Sequence, residues 1–192
     1  FSKLNQFHMR ILLSLLFTTF LLGSIVVKAQ PLSPDKVRDQ FFAMDRAEGA
    51  AFQLYKSLEK YDLSKDPLML AYRGAASAAS AGTVSGVRKK LEYFNNGKSE
   101  LEKAVALRPL DTEIRFLRLA TQLKAPGFLG YNDDIKNDKT IILQTLTNIN
   151  SNTPNSYLYL RMCRFIMYNA DLDKTERNTV NQLIAKFNPK KS

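Results

Sequence analysis

Apolar residues recur every three to four positions along almost the whole chain, and runs that alternate apolar with polar residues are absent, which predicts helices throughout. The first helix is expected from Ser33-Pro34-Asp35, a serine cap with proline in the first turn. Val37, Phe41, Phe42, Met44, Ala47, Phe52, Leu54, Tyr55 and Leu58 follow on its repeat, and it ends near Tyr61. Ser64-Lys65-Asp66-Pro67 opens a second helix carrying Leu68, Leu70, Ala71, Tyr72, Ala75 and Ala76. A third spans about Gly86–Leu107, with Leu91, Phe94, Leu101, Ala104, Val105 and Leu107 turned inward. Pro109 starts a fourth, which runs to Leu123 before Lys124-Ala125-Pro126-Gly127 breaks it. Phe128–Asn132 reads as an apolar-rich loop. Asp133 or Asp134 caps a fifth helix through Ile149, Thr153-Pro154 a sixth to about Asn169, and Asp173-Lys174 opens the last, which stops before Pro189. The expected fold class is all-α.

The helix-starting prolines Pro34, Pro67, Pro109 and Pro154 stand 33, 42 and 45 residues apart, and Arg73, Arg115 and Arg161 follow three of them at similar distances. Periods of this length suit antiparallel helical hairpins, each unable to bury its apolar face alone, stacked into a continuous core with a groove left over. Leu70-Ala71-Tyr72-Arg73-Gly74-Ala75-Ala76 resembles the first helix of a tetratricopeptide repeat. Gly97-Lys98, Leu101, Lys103-Ala104-Val105 and Leu107-Arg108-Pro109 resemble the second. The stretch from Gly74 to Pro109 is longer than that repeat allows, by about three turns around Thr83–Tyr93, and Pro109–Thr153 fits the pattern poorly. The chain is thus similar to the tetratricopeptide-like superfamily rather than to a regular array. Tyr72-Arg73-Gly74, Glu113–Leu119, Phe128-Leu129-Gly130-Tyr131 and Asp138-Lys139 also resemble a family of exported bacterial proteins with no assigned activity. That likeness implies a fold and a compartment, and no chemistry.

The N-terminal region has a different character. Residues 1–8 read as an extension upstream of Met9, and 9–29 as a signal peptide. Arg10 is the positive start, Ile11–Val27 the apolar core, and Val27-Lys28-Ala29 offers small residues for cleavage before Gln30. The apolar run is slightly short for an uncleaved membrane anchor, and no cysteine follows it for lipidation. Residues 30–188 are then a single helical-repeat-like domain and 189–192 a basic tail. The expected location is the periplasm or the cell exterior, with no stable membrane insertion after cleavage.

Charge and composition narrow the chemistry. The chain carries a net charge of +10, and removal of Lys3, Arg10 and Lys28 with the leader leaves it basic. A basic surface favours acidic partners, although scattered basic residues are most often only a solvated surface. Nucleic acid is not expected, because no nucleic-acid-binding motif is present. The one histidine, His8, lies ahead of the leader, so the domain beyond it has no imidazole for a nucleophile triad or a metal site. The one cysteine, Cys163, lies in the apolar run Leu160–Ile166, where a small buried hydrophobe is the expected role. There is no phosphate-binding glycine loop or dinucleotide fingerprint, and no cofactor is expected. Asn132-Asp133-Asp134 with Asp138 lacks the spacing, glycine and glutamate of a calcium loop, so helix capping accounts for it better.

The sharpest candidate site lies on the fourth helix. Ile114, Phe116, Leu117, Leu119, Ala120 and Leu123 make it apolar around most of its circumference, so it is expected to be internal. Asp111, Arg115, Arg118 and Gln122 form its one polar stripe. With Tyr72, Arg73 and Arg161, the residues Arg115, Arg118 and Gln122 would line a concave groove in which Arg115 and Arg118 hold carboxylate or phosphate groups by paired hydrogen bonds. Alternatively the stripe is satisfied inside the fold, with Asp111 and Glu113 as partners. Phe128–Asn132 is either a docking tip or a loop folded over the core, with Gly130 in a conformation other residues avoid. Glu100 and Glu102 stand two apart on a helix and point in different directions, which makes them poor glycosidase acids. The expected function is a non-enzymatic scaffold in the cell envelope that binds a protein or peptide. The alternative is a small helical hydrolase that uses carboxylates on cell-wall material.

Overall fold

The computed structural model describes residues 33–188. The leader, its cleavage site and the basic tail therefore lie outside the described residues. Within them the chain forms eight α-helices and no strand: α1 Pro34–Phe42, α2 Ala50–Glu59, α3 Pro67–Ser80, α4 Val87–Leu107, α5 Thr112–Lys124, α6 Ile135–Asn148, α7 Ser156–Asn169 and α8 Lys174–Phe187. Short 3-10 turns at Met44–Arg46 and Gly127–Leu129 complete the order.

Local chemistry accounts for most of the boundaries. Asp66 accepts a hydrogen bond from the Met69 amide (3.1 Å) and Pro67 takes the first helical position of α3. Asp111 caps α5 by accepting from the amides of Glu113 and Ile114 (3.0 and 3.1 Å). Asp173 and Glu176 form a reciprocal capping box at α8. Lys186 donates to the carbonyls of Leu146 and Thr147, satisfying the open end of α6 from a different helix.

Three expectations about the elements are corrected. The first helix is not continuous to Tyr61, because Gly49, with a φ of 76°, turns the chain between the 3-10 turn and α2. Pro109 and Pro154 do not begin helices. Asp111 holds the amides that set the start of α5, and α7 starts only at Ser156. Leu91 and Leu107 do not face inward, at 39% and 50% exposed. The reason is length: α4 has 21 residues against 14 in α3, so at about 1.5 Å per residue its ends overrun its partner by roughly 10 Å in total.

Among consecutive helices the extensive packings are α2 on α3, α3 on α4, α5 on α6 and α7 on α8, while α3 also packs on α5 and α5 on α7. The tightest join is α3 on α4, where Gly74 faces Gly97 and a methyl group at either glycine would meet backbone atoms of the other helix. Ala78, buried one turn beyond Gly74, is small enough to permit the approach to Gly97. Helix α5 is central, as its apolar circumference predicts, with Ile114, Phe116, Leu117 and Leu119 almost fully buried. Its Phe116 makes edge-on ring contacts with Phe41 and Phe165, and Phe41 makes one with Tyr72, so these rings join α1, α3, α5 and α7.

Candidate functional site

The polar stripe of α5 meets carboxylates from α4 and α6. Asp138, completely buried on α6, accepts from Arg115 Nη1 at 2.6 Å and from Arg118 Nε and Nη2 at 2.7 and 2.8 Å. Arg118 Nη1 also reaches Glu102 (2.7 Å) and Asp134 (3.1 Å), and Arg115 Nε donates to the Pro109 carbonyl (2.6 Å). Tyr131 closes the network by donating to Glu102 (2.7 Å). Burial alone would lower the pKa of Arg118, but the hydrogen bonds and charges of Asp138 and Glu102 outweigh it and raise the value. Burial and the Glu102 contact push the Tyr131 phenol well up, so it remains a neutral donor.

The other candidate residues are distributed among separate contacts. Tyr72 donates to Glu113 Oε1 (2.6 Å), a carboxylate that Arg38 also holds through Nε and Nη2 at 2.8 Å each. Burial, then the nearby Glu113, keeps the Tyr72 phenol protonated. Arg73 pairs with Glu100 and donates to the Tyr61 carbonyl. Arg161 pairs with Asp39 (2.6 Å) and lies 4.0 Å from the centre of the Phe42 ring. The six residues thus do not share one concave wall. Arg115 and Arg118 converge on Asp138, Tyr72 belongs to the Glu113 cluster, and Arg73 and Arg161 stand apart. The internal partners also differ from those expected: Asp111 caps α5 and Glu113 serves Arg38 and Tyr72, while the arginine pair depends on Asp138.

Gln122 is the exception on the stripe. Its side-chain amide is buried with no hydrogen-bond partner among the described residues. Gln122→Met, similar in shape and apolar, is therefore expected to stabilise the domain by about 1 kcal/mol in urea unfolding. A loss of similar size would show that the amide is satisfied.

A concave feature of different chemistry lies beside α3. An apolar cavity of about 600 Å³ is floored by Phe41, Ala75, Ala78, Phe94 and Ala120 and walled by Phe42, Phe165 and Leu129. Its mouth carries Val87, Leu91 and Phe128, which are 76%, 39% and 86% exposed. Few monomeric surfaces gather large apolar residues around an open apolar hollow of ligand size without a function for it. Asp45, Lys90 and Lys124 are the charged side chains of the lining, and Lys124 pairs with Asp45 at 3.4 Å. The loop from Phe128 to Asn132 divides between its two expected roles. Gly130 takes a φ of 57° and Tyr131 is buried, whereas Phe128 projects beside the cavity.

A second, shallower concavity of about 560 Å³ shares the rings of Phe42 and Phe165 with the first. Arg46, Arg161, Arg164, Tyr157 and Tyr168 border it. Neither hollow is marked by a local motif in the sequence. The signal of the first is the unbroken run of small residues from Ala75 to Gly82, which leaves space beside α3 where larger side chains would have filled it; none of these residues lines the second.

Cys163 is fully buried, and that burial pushes its thiol up to about 12, as suits a packing residue. Among the described residues no group of three His, Cys, Asp or Glu side chains is placed to hold a metal ion, and no helix is long and apolar enough to cross a membrane. Comparison of the chain with protein-family models, with curated proteins and with solved structures finds no match.

Proposed function

We propose that this protein is a non-enzymatic helical scaffold that binds a peptide segment of a partner protein through the apolar cavity beside α3. The carrying observation is the cavity itself: an open apolar hollow of about 600 Å³ with Val87 and Phe128 exposed at its mouth. Helix-in-groove recognition needs this arrangement, because apolar side chains spaced by three or four residues enter a hollow while the peptide satisfies its own backbone. The role expected of the arginine stripe passes to this surface, since Arg115 and Arg118 already have their donors engaged by Asp138, Glu102 and Pro109.

The pairing of consecutive helices, with α3 on α5 and α5 on α7, favours a short tetratricopeptide-like stack of antiparallel hairpins as the scaffold. The leader pattern from Arg10 to Ala29 favours export and work in the cell envelope. A carboxylate hydrolase is the weaker reading. Paired-carboxylate chemistry needs a second acid across a cleft, and Asp45 is the one carboxylate lining the apolar cavity.

Ala79 is an exposed residue of α3 that lines the cavity, so Ala79→Trp fills the hollow from its rim without disturbing the core. Selection of displayed peptides on the wild-type protein is expected to enrich sequences with apolar residues at three- and four-residue spacing. The Ala79→Trp protein, melting close to the parent, is expected to enrich none of them. The same peptides enriched on both proteins would overturn the proposal.

A further inference from the structure

We infer that the segment bound in the apolar cavity is an amphipathic helix whose flank is acidic, read by Arg46 and Arg164 in the adjoining concavity. This inference rests on the peptide-binding reading above and adds the chemistry of the partner.

Three observations carry it. First, the cavity offers little to a peptide backbone. Most of its lining is hydrocarbon, and Thr121 with the charged groups at the rim are its main polar side chains. An extended strand entering it would leave amides and carbonyls unpaired, whereas a helix satisfies its own. Second, the two concavities are adjacent, because Phe42 and Phe165 line both. A helix seated with its apolar stripe on these rings therefore places one flank over the neighbouring hollow.

Third, that hollow carries an excess of positive charge. Arg38, Arg73, Arg115, Arg118 and Arg161 each have a carboxylate within the fold. Arg46 and Arg164 are exposed and have no carboxylate partner among the described residues. Asp39 is the one acidic residue of that lining, and Arg161 holds it at 2.6 Å. Arg161 in turn lies on the face of Phe42 between the hollows with its charge matched by Asp39, so the excess rests on Arg46 and Arg164. Lys124, 5.7 Å from the centre of the Phe165 ring, is likewise paired, with Asp45 at 3.4 Å, so it adds no net charge. Guanidinium groups beside flat rings pair readily with the carboxylates of glutamate and aspartate.

The test uses fluorescein-labelled helical peptides of about five turns, roughly 18 residues, with leucines at positions i, i+3, i+4 and i+7 and glutamates along one flank. A second peptide replaces the glutamates with glutamine and a third with lysine. Anisotropy titrations of the full chain are expected to show the glutamate peptide binding about tenfold more tightly than the glutamine peptide at low salt. That advantage should shrink as ionic strength rises. In a protein carrying Arg46→Glu and Arg164→Glu the order should reverse, with the lysine peptide now the tightest. Both positions are exposed, so a thermal melt verifies that the variant is folded.

Equal affinities for the glutamate and glutamine peptides, both lost in Ala79→Trp, would overturn the acidic partner and leave the groove reading in place. Failure of every leucine peptide to bind, or binding that Ala79→Trp does not alter, would overturn the groove reading itself. Two further outcomes would overturn the inference by seating a different occupant. One is saturable binding of laurate without binding of any peptide, and the other is a dimer in sedimentation that Ala79→Trp abolishes.

Discussion

Replacing Asp138 by asparagine is expected to destabilise the domain by about 3–5 kcal/mol in equilibrium unfolding. The two side chains are nearly the same size, so the loss arises from charge. Asp138 is completely buried and accepts from Arg115 and Arg118, which are themselves 7% and 4% exposed. Without its charge the Arg115 guanidinium keeps only the Pro109 carbonyl, and Arg118 keeps Glu102 and Asp134, both partly open to water. Removing one member of a buried ion cluster leaves the others desolvated and uncompensated, whereas removing the cluster together does not. The combined change Arg115→Met, Arg118→Met and Asp138→Leu is therefore expected to cost less than Asp138→Asn alone. A loss below about 1 kcal/mol for Asp138→Asn would show that the arginines do not depend on it and would restore them as candidates for partner contact.

The second large effect concerns α3 and α4. Gly97→Ala is expected to cost about 2–4 kcal/mol, even though alanine favours a helix over glycine by about 1 kcal/mol. A methyl group there would stand 2.5 Å from the Ala78 amide nitrogen and 2.8 Å from its Cβ, and closer still to the Gly74 carbonyl oxygen. Backbone atoms cannot rotate aside, so the helices must separate and the alanine face loses its packing. For a domain of this size the loss lowers the melting temperature by roughly 6–12 °C. Gly82→Ala is the control, since its nearest contact would be an ordinary 3.5 Å. Equal melting temperatures for the two variants would show that the join is loose enough to admit a side chain.

The difference between what the chain announces and what it conceals follows from range. Capping residues act on amides two or three positions away, so Asp66-Pro67 and Asp173 with Glu176 mark their helices openly. Gly49 was hidden because the apolar repeat runs through it without a change of period, and only its φ of 76° reveals the turn. The polar stripe of α5 was visible as a pattern, but its partner was not. Asp138 lies 23 residues from Arg115 and 20 from Arg118 on another helix, where no helical spacing relates them. Asp111 and Glu113 were nearer in sequence, yet each had a stronger claim elsewhere. The apolar cavity was least legible, since its space arises from what the alanines of α3 fail to fill, and the phenylalanines around it come from segments as far apart as Phe41 and Phe165.

The contacts of α1 shape how the domain can assemble. Arg38 reaches Glu113 across 75 residues and Arg161 reaches Asp39 across 122. A solenoid whose units touch only their neighbours can begin to form while its end is still being synthesised, and can fray from either terminus. Here α1 finds its carboxylate only after α5 has emerged, and its second arginine only after α7. These distant closures raise the contact order, slow the final docking of α1, and bind early and late segments into one cooperative transition. For a chain that emerges amino end first, the earliest made of the described helices is among the last to be secured.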